Sequence, residues 1–391
     1  MKSKYAIAWL LSYISVASVS SAIITPALPR IQTQFSLSLG AVEWMVSAFL
    51  IGYVVGQLLY GPLANAYGRL KALRLGLSLN LFGLSICLIT AFYGNYPLLV
   101  LGRLITGLGA ASGLTCTFML INEWLPEEQR KTAMAYAILS FALGLGFSVM
   151  MGAIITAYWQ WEGCFVFLMG QGLLMLWGLR VFDETLHQPK PIKFKILFYD
   201  YINALSSLKL VVFSMFVGTC SAIGYCFSAA GPQIAHGYLH ISVTDYGYWN
   251  GLNIIGMLAG GLSARELLQY LSIPKLLSLG FLGCSAGILS LLWLWQTENH
   301  SAIWFFITTA SLYIFASYFF AAGSYIASNA LEDKATASSM MNFINMGFAT
   351  LCVIAMGYLS QNPLIAFILI LSLVFFLMLG LLRLVTVVAV D

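Results

Sequence analysis

One arginine in this sequence stands where a charge is costly. Arg103 lies in PLLVLGRLITGLGAASG, an otherwise apolar run. About six residues in from Pro97, it sits roughly 9 Å along a helix rising 1.5 Å per residue. A guanidinium that deep among apolar groups must find a partner or draw in water. Two roles are open to it. It can bind an anionic group of a ligand, bidentately if that group is a carboxylate. Alternatively it snorkels outward or bonds backbone carbonyls and braces the fold.

No acid stands at comparable depth. All fourteen Asp and Glu residues fall in loops, at helix ends or at a terminus, and Glu43, opening an apolar run, comes nearest to an interior. For Glu43 two roles are open: a proton-exchanging carboxylate, and an interfacial acid near the positive end of a helix. His187, His236, His240 and His300 are not central either. No Ser/His/Asp set, metal-ligand cluster or phosphate-cradling loop occurs at plausible spacing, which argues against an enzyme and calls for no cofactor or metal. The seven cysteines lie in or beside apolar runs without paired spacing and read as small hydrophobes.

What the interior offers instead is aromatic and neutral-polar. Tyr53 and Gln57 share one apolar run, Tyr225 and Ser228 a second, and Asn250 and Asn253 a third. Tyr313, Tyr318 and Phe319 share a fourth, and Asn342 and Asn345 a fifth. Stacking and adaptable hydrogen bonds of this kind suit an amphipathic ligand; the same side chains also serve interhelical packing. The expected ligand-binding set is Arg103, Tyr53, Gln57, Tyr225, Ser228, Asn253, Tyr318, Asn342 and Asn345.

The elements that must position these residues are membrane helices. The chain is 60% hydrophobic and 8% charged, where ordinary globular domains carry roughly 25% charged residues. Long apolar runs recur between short polar breaks, and about 20 apolar residues are what a helix needs to cross a bilayer core. A barrel is excluded, because its strands would alternate polar and apolar residues. The pattern predicts an all-α integral membrane protein of twelve helices in two pseudo-symmetric bundles of six. The opening MKSKYAIAWLLSYISVASVSSAIIT is too long for an ordinary signal-peptide core and reads as an uncleaved first helix.

Basic residues set the expected orientation, since short loops rich in Lys and Arg stay in the cytoplasm. Lys2, Lys4, Arg69, Lys71, Arg74, Arg130, Lys131, Arg180, Lys190, Lys193, Lys195, Lys209, Arg265, Lys275, Lys334 and Arg383 fall on one side of a twelve-helix arrangement. Arg30 alone falls on the other. Both termini are therefore expected in the cytoplasm, in an inner or plasma membrane. The net charge of +4 reflects this bias rather than a nucleic-acid partner. One break, DETLHQPKPIKFKILFYDYINALSS, is longer and more polar than the rest. It predicts an N-terminal bundle over 1–182, a cytoplasmic linker over 183–207 and a C-terminal bundle over 208–391, the layout of a transporter built from two homologous halves.

Four stretches carry a resemblance to a known family: ITPALPRI from Ile24, VEWMVSAFLIGYVVGQLLYGPLANAYGR from Val42, GRLITGLGAASG from Gly102, and DETL from Asp183. Together they resemble the major facilitator superfamily, and more narrowly its Bcr/CflA-type drug-resistance branch. The second stretch ends in the family's signature loop, usually G-x-L-a-D-R-x-G-R. Here Gly61, Leu63, Gly68 and Arg69 match, while Asn65 and Ala66 replace the acid and the arginine. Ala22 stands where the branch usually has an acid in its first helix. LGLGFSVMMGAII, from Leu143, lacks the Gly-Pro pair of the exporter motif. The corresponding place in the second half reads GGLSARELLQYLSIPKLL, with Arg265 as its basic residue. The resemblance implies a conformational, gating role for Gly61, Asn65, Gly68, Arg69 and Arg265. The charged stretches NEWLPEEQRKTA and EDKATAS are available as their ion-pair partners, or as solvated loops serving topology.

The function this implies is secondary active transport of a small amphipathic molecule by alternating access, as in multidrug or metabolite efflux. An alternative is movement, in either direction, of an anionic metabolite such as a carboxylate siderophore, which Arg103 without an embedded acid would suit. A third reading is a non-transporting membrane sensor. The expected partners are the small-molecule substrate, the lipid bilayer, and protons or a counter-ion, with the protein acting as a monomer.

Overall fold

A computed structural model describes residues 4–186, 188–189, 194–332 and 334–388. Lys2, His187, Lys190, Lys193, Asp333 and Asp391 lie outside the described residues, as do the side chains of Glu128, Lys131, Lys195, Lys334 and Arg383. Among the described residues the structure is helical, without strands. It runs α1 (Lys4–Ser12), α2 (Ser15–Ala22), a 3-10 turn (Thr25–Ala27), α3 (Leu28–Gln34), α4 (Leu39–Tyr67), α5 (Arg69–Tyr93), α6 (Tyr96–Trp124), α7 (Glu127–Trp159) and α8 (Glu162–Gly178). After a second 3-10 turn come α9 (Phe194–Leu205), α10 (Leu208–Gly237), α11 (Val243–Trp249), α12 (Gly251–Tyr270), α13 (Ile273–Gln296), α14 (Ala302–Ala327), α15 (Lys334–Leu359) and α16 (Pro363–Val388).

Ten of these segments are long and apolar enough to cross a membrane. The other two of the twelve expected spans are also helices. The fifth belongs to α7 and contributes the apolar stretch Leu143–Trp159. The eighth, α12, carries Asn253, Arg265 and Glu266, which lower its apolarity.

The first span is longer and more broken than the sequence suggests, reaching from Lys4 to Gln34. Pro26 and Pro29 each remove a backbone donor, and serine hydroxyls compete for nearby carbonyls: Ser12 Oγ donates to Trp9 O and Ser15 Oγ to Ser12 O, both at 2.6 Å. Arg30, the one basic residue expected on the other side, donates from its guanidinium to the Thr156 carbonyl.

The chain divides into two compact units. One comprises Met1–Leu37 and Trp44–Lys193; the other comprises Ser38–Glu43 and Phe194–Asp391. In the stretch expected to be a linker, α9 is 12 residues long, too short to cross a bilayer.

Candidate functional site

In the first unit the site is built where α4 and α6 touch. A Cβ placed on Gly107 would overlap the Phe49 carbonyl oxygen, and one on Gly52 would overlap that of Leu104. With both positions glycine, the two backbones approach closely, the small-residue packing that membrane helices use. That approach brings the Met45 carbonyl and the Phe49 ring to Arg103.

Arg103 is 0% exposed. Its Nε donates to Met45 O at 3.0 Å and its Nη1 to Ser20 O at 2.8 Å. Ser20 lies in the last turn of α2, where carbonyls lack intrahelical partners. The guanidinium carbon lies 4.6 Å from the centre of the Phe49 ring, within cation–π reach. Phe49 stacks in turn on Tyr53, with ring centres 6.2 Å apart and planes 11° apart. Of the partners open to Arg103 from sequence, backbone carbonyls are the ones present. Nη2 has no hydrogen-bond partner among the described residues, so one face of the guanidinium keeps its donors. Gln57, one turn beyond Tyr53, is half-buried and its Oε1 is also unpartnered.

In the second unit the expected residues divide into paired and unpaired groups. Asn253 spends its amide twice: Nδ2 donates to Asn250 Oδ1 at 3.1 Å, and Oδ1 accepts from Thr309 Oγ1 at 2.8 Å, joining α12 to α14. Tyr318 Oη is 3.2 Å from Ser263 Oγ across the same helix pair. Ser228 Oγ donates to the Gly224 carbonyl of its own helix at 2.9 Å, and Tyr313 Oη reaches the same oxygen at 3.4 Å. Tyr225 is buried one residue beyond. Asn345 is buried with Oδ1 unpartnered, and Asn342 is half-buried on the same helix, α15. Asn253 and Tyr318 therefore act as interhelical ties, whereas Asn345 keeps an acceptor free.

The signature loop is shorter than expected. α4 runs through Pro62 to Tyr67, α5 starts at Arg69, and Gly68 alone connects them, at φ +117° and ψ 148°. That backbone conformation is essentially restricted to glycine. Gly61 lies inside α4 with nothing near its missing side chain, and Asn65 is half-buried. Arg69 is the hub. Its Nε and Nη2 grip Glu123 Oε2 and Oε1 at 2.8 and 2.6 Å, and Nη1 donates to Ala64 O at 2.9 Å. The Glu184 carboxylate accepts from the Arg69 and Leu70 amides at 2.8 and 3.1 Å. It thereby caps an α5 N-terminus that has no capping side chain of its own. Thr185 Oγ1 donates to Glu123 Oε2 at 2.6 Å and completes the cluster. Arg265, at the corresponding place in the second unit, is exposed and makes no ion pair among the described residues.

Sequence reasoning missed Glu184 and Phe49, while Glu123 lies in the stretch NEWLPEEQRKTA that it offered as an ion-pair partner of Arg69, and that ion pair is present. The signal for Glu184 was indirect: a long helix opening Gly-Arg-Leu without Ser, Thr, Asp or Asn must be capped from elsewhere.

Similar proteins share this architecture. The xylose transporter XylE from E. coli superposes with a TM-score of 0.75 at 16% identity, over 97% of this chain and 95% of that one. A bacterial homologue of the human lysosomal transporter Spinster does so at 0.72 and 15% identity, covering 98% and 96%. By sequence, the chain is 31% identical to the MFS-type transporter oryF of Aspergillus oryzae over 44% of its own length and 35% of the relative's. It is 26% identical to Multidrug resistance protein 3 of Bacillus subtilis over 55% and 41%, and 30% identical to the quinolone resistance protein NorB of Staphylococcus aureus over 40% and 33%. These matches thus span less than half of each relative. A profile described as Major Facilitator Superfamily matches residues 10–345, and the chain belongs to that superfamily.

Proposed function

We propose that this protein is a secondary transporter that moves small amphipathic molecules out of the cell by alternating access, exposing its site to one side of the membrane at a time. The observation that carries this reading lies within the first unit: Arg103 Nη2 and Gln57 Oε1 are among the buried side-chain atoms without a hydrogen-bond partner in the described residues, and the Arg103 guanidinium lies over the ring of Phe49, which stacks on Tyr53. Buried polar atoms without partners call for an explanation, and a ligand that visits them is one. The Arg103–Phe49–Tyr53 ladder adds stacking faces to a donor. Relatives named for multidrug and quinolone resistance support an amphipathic, drug-like substrate.

A second reading, transport of an organic anion, is favoured by the free Arg103 donors. In the proposed arrangement the bundles are 1–182 and 208–391, both termini are cytoplasmic, and the protein works as a monomer in the plasma membrane. The cluster around Arg69 acts as the conformational latch of the N-terminal bundle. The test is transport in proteoliposomes with the pH gradient and the membrane potential imposed separately. The probes are a fluoroquinolone, which carries a carboxylate, and a permanently cationic ethidium-type dye. Counterflow of either probe supports transport, and counterflow of the quinolone alone selects the anion reading. Absence of counterflow for both overturns the proposal.

A further inference from the structure

One buried ionisable side chain is not used by the site above. Glu43, in the second turn of α4, is 1% exposed, and neither carboxylate oxygen has a hydrogen-bond partner among the described residues. An acid at a helix end in an aqueous interface would be solvated; this one is enclosed. Ser38–Glu43 belong to the second unit together with α10 and α15. A Cβ built on Gly357 of α15 would lie 2.5 Å from Glu43 Oε2, and one on Gly40 would lie 2.5 Å from the Gly357 carbonyl oxygen. Glycine at both positions thus lets the carboxyl group and the two backbones pack closely together.

Among the described residues Glu43 makes no ion pair. Among the described residues, the titratable side chains near it include Cys226 of α10, with Cys352 of α15 beside it, and Tyr358, which borders Gly40. Enclosing an ionised carboxylate without a partner or a hydrogen bond is costly, and the neutral acid avoids most of that cost. Retaining such a group is costly unless the charge change is used.

We propose that Glu43 is a proton-binding site, holding a proton as a carboxylic acid beside Gly357 and releasing it to water, as a carboxylate, when the first turns of α4 become hydrated. That this proton is the coupling ion rests on the transport reading above; the proton binding itself does not.

Infrared difference spectroscopy of the full-length protein in lipid vesicles, titrated from acid to alkaline pH, tests the site directly. The expected result is a protonated-carboxyl C=O band that is present in the wild type at neutral pH, is lost as pH rises, and is absent from Glu43→Gln. In Glu43→Asp the band should persist at a shifted position. Wild-type and Glu43→Gln spectra that coincide throughout the titration, with equal thermal unfolding, would overturn the proposal. In proteoliposomes, pH-driven accumulation of the ethidium-type dye should be lost in Glu43→Gln and partly restored in Glu43→Asp. Undiminished accumulation in Glu43→Gln overturns the coupling role. If the band behaves as expected but the wild type moves no probe, the proton site stands and the transport reading fails.

Discussion

Arg69 and Glu123 face each other in a fork-to-fork ion pair, Nε to Oε2 at 2.8 Å and Nη2 to Oε1 at 2.6 Å. The arginine side chain is 10% exposed and the glutamate 35%, so the pair is sheltered on one side and wet on the other. Planar bidentate geometry of this kind is specific to arginine. It joins the start of α5 to the last turn of α6, and Thr185 extends it into the segment after α8.

Glu123→Ala should therefore remove at least the two bonds to Arg69 and the one from Thr185 and lower the unfolding free energy by about 1 kcal/mol, the half-exposed glutamate keeping the effect modest. Arg69→Lys should lose about as much, because an ammonium cannot satisfy both oxygens and the Ala64 carbonyl together. Thermal unfolding in detergent measures both. No shift in either variant would mean that water replaces the pair without loss.

Gly68→Ala strains the fold in two ways that can be separated. Its φ of +117° is unfavourable for any side chain, at a cost of about 1–3 kcal/mol. The added methyl would also collide with Glu184 Oε2. Gly68→Ala combined with Glu184→Ala relieves the collision but leaves the backbone term and uncaps α5. The double variant should thus remain less stable than the wild type. Recovery to wild-type stability would show that the collision, not the backbone, requires glycine.

Arg103 was legible in the sequence because one base in an apolar run is conspicuous whatever surrounds it. Its partners were not, since Met45 and Ser20 contribute backbone carbonyls that no side-chain pattern reveals. Glu184 illustrates the same limit across distance: DETL marked the end of a bundle, but a cap for a helix 115 residues earlier in the chain is a tertiary fact. The first span was misjudged in length because Pro26 reads as a terminator, whereas the chain resumes as helix two residues later. Glu43 was ambiguous because position within a helix sets depth only roughly, while burial depends on what packs over it.

Arg103→Lys tests what the free guanidinium donors do. Lysine cannot hold Met45 O and Ser20 O together and also lie flat on Phe49, so stability should fall by about 2 kcal/mol. If Nη2 binds an anionic ligand group, counterflow of the fluoroquinolone should fall more than that of the cationic dye. Equal loss for both would assign Arg103 to bracing alone. Phe49→Leu, which removes the ring and leaves both carbonyl bonds, should weaken both probes alike.

Asn65→Asp restores the charge that the signature loop lacks. Asn65 follows Ala64, whose carbonyl accepts from Arg69 Nη1, so a carboxylate there would compete with Glu123 for the guanidinium. On the proposed orientation this tightens the cytoplasmic end and shifts the resting population toward the outward-open state. The change can be read with a cysteine introduced at Tyr67, which is exposed at the end of α4. Background labelling should be low, because all native cysteines are buried except the half-buried Cys220. The reporter should label more slowly in the Asn65→Asp background than in its parent. An unchanged rate would mean that Arg69 stays with Glu123 and that the missing acid does not set the position of the latch.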